Sequence, residues 1–558
     1  MSKKMTGWSI VLVTMLTMLL AACGDSATAT PPAATTAAAG STPAAGAATT
    51  AAAGSTTAAG AATTASAVKR GGDLKIAVSA LPAQVDPVVS TLGTQWLIAT
   101  QVCEGLFATD DNYAPQPMLA ESSSYDPNGP TFTVKLRTGV KFQDGSTMTA
   151  DDVVASLQRY AGSAGTGAIL KGLVKEIKAT DASTVVMSLN QQTGIIPALL
   201  TLTPAVIMSK ASINGANSST PVANPVCTGP YKVTDYKPDQ QAVLTRFENY
   251  TSRTDPTNGA AGAKPAPADR IIIVPQSESS VRRDSLLTGS VDIATGLPFD
   301  FYDALNSNSA VKPVIIKDNQ SLTMVFNTKQ GPTANVKLRQ AIYYALDMDP
   351  IMQAAIGNPN FYSIDPSWYP FPNAIWHSTS GADNFGKSNP DKVKQLLADS
   401  GYKGETLRWL TSKDNFNEWY LPAQTVQQQL DKYGIKVDLQ LMPAATVAQK
   451  RTDPANFEIF SSFLPAYPDP TLIPYLQSTF PGFWTNSTKD DLVKKLQTTS
   501  DQSQRVEIWN QLHALLYQEF PYIKFGTEAA FSAVGKNVMG YSTSPANASV
   551  FYNISPGK

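Results

Sequence analysis

The chain has 558 residues, enough for three or four average domains of roughly 150 residues and for large buried cores. Its 43 Lys+Arg balance 44 Asp+Glu, so the composition gives no reason to expect the basic face that nucleic-acid binding requires. Only three Cys and two His occur, which argues against a zinc ribbon, an iron–sulfur cluster or a multi-histidine metal site.

The N-terminus has the pattern of an export signal. Two lysines precede a continuous apolar run over 8–20, which is shorter than the roughly 20 residues needed to span a bilayer. Residues 1–22 are therefore predicted to be a signal peptide. The Leu-Ala-Ala-Cys-Gly segment at 20–24 resembles the bacterial lipobox, in which the cysteine receives a diacylglyceryl group of the palmitate type. A lipidated Cys23 predicts a protein anchored to the membrane, and ordinary cleavage beside an incidental cysteine is the alternative.

Residues 23–68 are predicted to be the lipidated cysteine followed by a disordered tether. The segment 26–68 carries no charge, and its 14-residue Thr/Ala/Gly/Ser unit starting at Thr35 recurs from Thr49. Such a composition cannot bury an apolar core and is typical of a coil. A random coil of about 43 residues reaches roughly 35 Å.

Strand patterns begin soon after Gly71. Apolar residues alternate with polar ones over 74–78, 132–136 and 435–441, as in half-buried strands. The unbroken apolar run 271–274 predicts a strand covered on both faces.

Helices with readable ends lie between these strands. Thr149–Asp152 resembles a capping box, and the apolar residues over 338–346 form one helical stripe. Asp349-Pro350 predicts the start of a helix, as does Asn389-Pro390, whose helix is expected to stop at Gly401. The predicted class is α/β with mixed sheets.

A series of short motifs runs in a fixed order along about 400 residues of this region. They are Gly71–Leu74, Val85–Pro87, Cys103–Phe107, Phe132–Gly145, Thr149–Val153, Thr228–Tyr231, Gly289–Ile293, Val336–Ile342 and Tyr467–Pro470. In this order they resemble the bacterial extracytoplasmic solute-binding proteins of family 5, the peptide/nickel-type receptors of ABC importers.

The resemblance implies a bilobal periplasmic-binding-protein-like α/β fold (class II, cluster C) with an extra domain inserted in the first lobe. The chain is expected to cross between the lobes near Phe326 and again near Pro521. The implied boundaries are 69–107, 220–325 and 515–558 for lobe I, 108–219 for the extra domain and 326–514 for lobe II.

The resemblance also implies a function without catalysis and without a cofactor. The protein is expected to be an extracytoplasmic, monomeric substrate-binding component that captures a peptide-class solute and delivers it to permease subunits driven by partner ATPases. An oligosaccharide or other neutral solute and a surface sensory receptor are the alternatives on the same fold. A secreted hydrolase is a further alternative, but there is no Gly-x-Ser-x-Gly elbow and no His-Glu-x-x-His motif.

Candidate ligand-binding residues follow from alignment to the family. Each of them also has packing or loop solvation as an ordinary explanation. The first wall would contain Ser90, Thr91, Thr94 and Trp96, and the facing wall Ser461, Ser462, Phe463, Tyr467, Phe483, Trp484 and Asn486.

Two charged positions of peptide-binding relatives are replaced. Ala466 stands where several relatives hold the peptide ammonium with an Asp, and Phe460 stands where an Arg can pair with a carboxylate. Burying a zwitterion without counter-charges costs several kcal/mol, so a free dipeptide held at those two points is disfavoured. A longer or blocked peptide or a neutral solute fits this wall better.

The histidines and the remaining cysteines complete the prediction. His513 lies among apolar helix positions and His377 in a loop, so a nickel ligand is not expected. Cys103 and Cys227 both belong to the implied first lobe of an extracytoplasmic protein. A disulfide and two buried thiols fit these positions equally well, because the sequence gives no distance.

Overall fold

The computed structural model describes residues 70–89, 93–163, 165–369, 375–382, 385–414, 417–544 and 550–557. The predicted signal peptide, Cys23 and the predicted tether lie outside these residues. The described residues all belong to one compact unit, and the predicted end of the tether stays a prediction. Of the helices in these ranges, none is long and apolar enough to cross a membrane.

Strands and helices alternate along this unit, as the sequence predicts. The strands are β1 (Asp73–Val78), β2 (Phe107–Thr109), β3 (Pro115–Pro117), β4 (Ala120–Tyr125), β5 (Thr131–Leu136), β6 (Val174–Asp181), β7 (Thr184–Leu189), β8 (Tyr231–Lys237), β9 (Gln241–Arg246), β10 (Arg270–Pro275), β11 (Ile293–Ala294), β12 (Val311–Phe326), β13 (Tyr362–Ser363), β14 (Leu407–Thr411), β15 (Val437–Leu441), β16 (Ile459–Pro465) and β17 (Tyr522–Gly535).

Fourteen α-helices lie between these strands along the described part of the chain. They are α1 (Gly93–Val102), α2 (Ala150–Ala161), α3 (Thr166–Leu173), α4 (Ile196–Leu199), α5 (Lys210–Ile213), α6 (Ser279–Leu287), α7 (Tyr302–Asn306), α8 (Val336–Ala345), α9 (Met348–Ile356), α10 (Pro390–Ser400), α11 (Asn417–Asp431), α12 (Ala444–Lys450), α13 (Ser487–Thr498) and α14 (Gln502–Glu519).

The predicted helix ends are explained by local hydrogen bonds. The Asp152 carboxylate accepts from the Thr149 backbone N–H at 2.9 Å, which starts α2. The Asn389 side chain accepts from the Lys392 N–H and Gly401 closes α10 in the left-handed conformation, with φ of 69°. The start predicted at Asp349 is two residues late, because Asp347 occupies the N-cap position of α9 and proline is tolerated in a first helical turn.

A single mixed sheet runs through most of the described residues. Its strand order is β15-β14-β16-β12-β17-β11-β1-β10-β9-β8, with β13 added to β17. A separate antiparallel sheet has the order β4-β5-β7-β6, and β2 pairs with β3. The prediction that β10 is covered on both faces is only half right, because Ile271 and Ile273 are fully buried while Ile272 and Val274 are half-buried.

Four groups of buried side chains divide the molecule. Core A contains the second half of β12, strands β14 and β16 and helices α8–α11, α13 and α14. Core B surrounds β1, β9 and β10, core C lies within residues 106–207 together with Leu472, and core D is a small group around Phe531.

Strands β12 and β17 are the elements that connect core A with cores B and D. Along β12, Ile316 belongs to core B and Leu322 to core A, and along β17 the change falls between Ala529 and Phe531. These changes lie several residues from the crossings predicted near Phe326 and Pro521. The predicted domain boundaries themselves stay predictions.

Candidate functional site

The passage between the cores is marked by an irregularity in β12. The pairing of β12 with β17 shifts register between Ile316 and Gln320, and Asp318 has a left-handed φ of 53°. The Asp318 carboxylate accepts from the Ser363 hydroxyl at 2.5 Å and from the Thr527 hydroxyl at 2.7 Å. These two hydrogen bonds fix the irregular segment in place. Aspartate also tolerates the left-handed conformation better than most residues do.

On the core A side, several strands end at one edge of the sheet. β14 and β16 are parallel and end at Thr411 and Pro465, and the pairing Gln320–Pro465 brings β12 to the same edge. Ligands of open α/β sheets bind outside the carboxyl ends of the strands. We call this region the carboxyl edge.

Aromatic side chains lie at the carboxyl edge. Phe463 on β16 is 41% exposed, which is unusual for a large side chain within a sheet, and its ring centre lies 6.3 Å from that of Trp419. Tyr467 follows β16 and is half-buried against both core A and core C. Burial raises the pKa of Tyr467 to about 12, so its hydroxyl is neutral at physiological pH.

Two glutamates stand at the same edge. Glu528 on β17 pairs in register with Gln320 and is only 4% exposed, and the Gln320 amide donates to its Oε1. Burial, together with the charge of Glu418, raises the pKa of Glu528 to about 8. Burial raises the pKa of Glu418, at the start of α11, to about 7. The two carboxyl groups therefore influence each other's ionisation.

A cavity of about 280 Å³ lies beside α1, on the other side of the chain crossing. Trp96, 37% exposed, and Tyr113 both line it, and Tyr113 also packs against core A. Two further lining residues form a buried ion pair, in which the Lys264 Nζ lies 3.2 Å from the Glu104 Oε1. The cavity thus combines aromatic surface with polar groups that already have partners.

The candidates of the first wall are only partly described. Ser90 and Thr91 lie outside the described residues, and Thr94 is described as a residue of α1 without its side chain. Trp96 is the member of this wall whose side chain is described, and it faces the cavity.

The candidates of the facing wall separate into two groups. Phe463 and Tyr467 lie at the carboxyl edge. Ser461 and Ser462 are buried in β16, where the Ser461 hydroxyl accepts from Trp409 at 2.9 Å and the Ser462 hydroxyl from Tyr475 at 2.9 Å. Both serines thereby have structural partners.

The other three candidates lie at the opposite end of β12. Phe483 and Trp484 line a small space beside Val325 and Tyr522, and Trp484 is 3% exposed. Asn486 caps α13 by accepting from the Lys489 N–H at 3.0 Å. Six residues of strand separate Gln320 from Phe326, or roughly 20 Å, so the structure does not bring this group to the carboxyl edge.

Sequence reasoning missed Tyr113, Gln320, Glu418 and Glu528. Glu528 and Gln320 lie more than 200 positions apart and meet through strand register. Tyr113 lies in the turn between β2 and β3, with a left-handed φ of 62°. None of the four has a local motif that would single it out.

The two histidines have partners of their own. The Trp368 N–H donates to His513 Nε2 at 3.0 Å, so His513 Nδ1 carries the proton and donates to the Ser380 carbonyl at 2.7 Å. Burial lowers the pKa of His513 to about 4. His377 Nε2 lies 3.1 Å from the Asp365 Oδ2. Among the described residues, no group of three or more His, Cys, Asp or Glu is arranged to hold a metal.

Cys103 and Cys227 are joined in the structure. Their Cα atoms lie 4.9 Å apart and the sulfurs form a disulfide. Cys103 follows the end of α1, and Cys227 precedes β8. Of the two arrangements that fit the sequence, the structure has the bridge.

Comparison with known proteins places these features in a family. Residues 114–482 match the profile of the bacterial extracellular solute-binding proteins, family 5, middle region. The chain is 26% identical over 473 residues to a probable peptide ABC transporter periplasmic-binding protein, y4tO, of Sinorhizobium fredii, covering 82% of this chain and 88% of the relative. It is also 26% identical over 492 residues to the glutathione-binding protein GsiB of Escherichia coli, covering 85% and 92%.

Solved structures have the same fold. The substrate-binding protein CtaP of Listeria monocytogenes superimposes with a TM-score of 0.76 at 22% identity, covering 88% of this chain and 100% of that one. The oligopeptide-binding protein AppA of Bacillus subtilis, solved with a nonapeptide, gives a TM-score of 0.70 at 21% identity, covering 87% and 99%. The bilobal periplasmic-binding-protein fold predicted from the sequence is confirmed.

Proposed function

The chain belongs to the bacterial extracellular solute-binding proteins of family 5, and from this premise we propose that it captures a peptide-class solute between its lobes for an ABC importer. Proteins of this family act as substrate-binding components of importers outside the cytoplasm. Permease subunits and their ATPases are the partners that this role requires.

The exposed ring of Phe463 at the carboxyl edge is the observation that carries the proposal. A large aromatic side chain that remains 41% exposed within a sheet keeps apolar area available for a ligand. Trp96 and Tyr113 offer a second aromatic surface at the cavity beside α1. A peptide has apolar side chains and backbone hydrogen-bonding groups that such surfaces accommodate.

Capture needs a change of shape that the connecting strands supply. Only β12 and β17 are long strands shared between core A and cores B and D, and the irregularity at Asp318 interrupts one of them among the described residues. A solute that contacts both sides stabilises the closed arrangement relative to the open one by its differential binding energy. The permease then recognises the closed protein.

The membrane attachment is part of the same proposal. Cys23 carries the lipid, and residues 24–68 let the folded unit move within a few tens of ångströms of the membrane. Two acyl chains hold a protein stably, whereas a single chain gives only marginal binding. The solute is bound without covalent chemistry, and transport energy comes from the partner ATPases.

Thermal unfolding in the presence of candidate solutes tests the function. The protein secreted by a bacterial host is screened against peptide pools, oligosaccharides and nickel–histidine complexes. A solute at 100 times its Kd adds about 2.7 kcal/mol of stability, which for about 490 folded residues raises the Tm on the order of 2–3 °C. Stabilisation by peptides alone supports the proposal, and stabilisation by oligosaccharides alone contradicts it.

A further inference from the structure

A buried carboxyl group at the carboxyl edge has no cationic partner among the residues that the structure describes. Glu528 is 4% exposed, and the hydrogen bond that it accepts comes from the neutral amide of Gln320 to Oε1. Its second oxygen has no partner within the described residues. A buried carboxylate is normally paired with a cation or satisfied by several donors, because leaving water costs several kcal/mol.

Glu418 adds a second negative group on the facing element. It lies in the first turn of α11, half-buried, and forms no ion pair within the part of the chain that the structure describes. The neighbouring Trp419 carbonyl accepts from the Ser461 hydroxyl at 3.3 Å, which fixes the start of α11 over β16. From β16 the sheet continues through β12 to Glu528, so the two glutamates approach the carboxyl edge from two sides.

The cations closest along the chain are already engaged elsewhere. The Lys524 Nζ donates to the Ser367 carbonyl at 2.5 Å, and the Lys413 Nζ lies 4.3 Å from the ring centre of Tyr420. Neither lysine forms an ion pair with Glu418 or Glu528. Within the described residues, the pair can therefore become neutral only by taking up protons, and a cation that enters from outside would instead favour its ionised form.

From these contacts we propose that Glu528 and Glu418 bind a positively charged ammonium group of the solute at the carboxyl edge. The inference rests on the proposed function and narrows its substrate class to solutes with an amine. The exposed ring of Phe463 and that of Trp419 beside it suit an organic cation, since an ammonium is attracted to an aromatic face. Ca²⁺ fits less well, because it takes six to eight oxygen ligands.

The amine comes from a peptide N-terminus or from another organic ammonium ion, and the test separates these sources. The secreted protein is titrated with an equimolar pool of tetrapeptides free of Lys and Arg, and with the same pool N-acetylated. A second pair of probes is butylammonium and neutral butyramide at equal ionic strength, followed as Tm shifts. The proteins are wild type, Glu528→Gln, Glu418→Gln and, as a matched control on the exposed face of α14, Glu507→Gln.

We expect acetylation to weaken binding of the pool to wild type at least about 30-fold, because removing one member of a buried charge pair has effects of this size. Glu528→Gln should weaken binding of the free pool by a similar factor and leave the acetylated pool unaffected. Glu507→Gln should bind like wild type. The acetylation comparison needs no variant, so it holds even if Glu528→Gln does not fold.

The outcomes separate this inference from the proposed function. If both pools bind wild type equally, the ammonium site is refuted while peptide binding stands. If neither pool binds, the proposal of peptide capture is refuted. Butylammonium and butyramide then test the ammonium site by themselves. The ammonium site is then supported if butylammonium raises the Tm of wild type more than butyramide does and Glu528→Gln loses this difference. Equal Tm shifts with the two compounds refute the site.

Discussion

At the scale of single residues, Phe463 carries the apolar part of the proposed contact. Phe463→Ala should weaken solute binding roughly 5- to 100-fold, since truncating a central aromatic anchor costs about 1–3 kcal/mol. Its exposure means that little packing is lost with it. Isothermal titration with the solute found in the screen measures the effect.

The matched control is Val281→Ala, because Val281 is 48% exposed on α6, away from the carboxyl edge. This variant should bind with unchanged affinity.

Trp96→Ala tests the cavity wall in the same way. Unchanged affinity in both aromatic variants would show that neither wall contacts the solute.

The raised pKa of Glu528 predicts a pH dependence of stability. At a pH below 4.5, the usual pKa of a glutamate, the Glu528 carboxyl group is protonated in both the folded and the unfolded chain. Its burial then does not lower the free energy of unfolding through ionisation. As the pH rises towards about 8, the unfolded chain ionises freely while the folded one resists, so stability is lost. The pKa of Glu418, whose charge acts on Glu528, is raised as well.

Glu528→Gln should therefore flatten the loss of stability between pH 5 and pH 8 in solute-free protein. The difference from wild type should reach the order of a few kcal/mol at pH 8 and vanish near pH 4. Urea unfolding at both pH values, after removal of bound solute under denaturing conditions, measures it. An identical pH profile in both proteins would mean that Glu528 ionises normally.

At the scale of elements, the local sequence pattern was enough to predict a strand or helix wherever one face of that element is buried. The alternation over 74–78 and 132–136 predicted β1 and β5, and Asn389 and Gly401 predicted both ends of α10. These features depend on neighbours within four residues. The same reasoning could not find Glu528 and Gln320, whose contact depends on the register of two distant strands.

The aromatic residues near 484 lie where their sequence position alone does not indicate. Phe483 and Trp484 follow the motif at 467–470 closely in sequence, and so were predicted to line the facing wall. Two short 3₁₀ turns follow, Pro470–Leu472 beginning at the last residue of that motif and Pro474–Leu476 after it, and the chain then reaches the far end of β12. Proximity in sequence did not give proximity in space.

The disulfide is an element-scale link whose removal has a calculable effect. Cys103 and Cys227 are 124 positions apart, and closing so long a loop reduces the freedom of the unfolded chain substantially. The double variant Cys103→Ser, Cys227→Ser should lower the free energy of unfolding by about 2–5 kcal/mol.

Urea unfolding of the double variant and of reduced wild type measures this loss, which should be equal in the two proteins. Equal stability of oxidised and reduced wild type would contradict the prediction.

At the scale of the whole molecule, family motifs identified the fold, and the lobe boundaries that they imply stay predictions. β17 is an almost continuous run of buried residues over its 14 positions, whereas β12 is mixed along its first ten residues and continuously buried over its last six. The change from core B to core A falls inside β12, at an irregularity that no change of composition marks. Sequence alone could not have located this change of core, because both sides of it lie within one strand.

The predicted lipid anchor also belongs to this scale, because it decides where the folded unit works. Cys23→Ser should move the protein from the membrane fraction to the soluble fraction, since the acyl chains are then absent and residues 26–68 carry no charge that would attract a membrane surface. Solute affinity should stay within twofold of wild type, because the proposed contacts all lie within residues 65–558.

Cell fractionation with metabolic labelling by a fatty acid measures the anchor, and titration measures the affinity. Cys103→Ser is the control, because it also replaces a cysteine by serine but leaves the lipobox intact, and it should remain labelled and membrane-bound. Cys23→Ser protein that stays in the membrane fraction would show that something other than the lipid holds it there. Cys23→Ser protein that is released but fails to bind would place part of the solute contact in the N-terminal segment, against the arrangement proposed above.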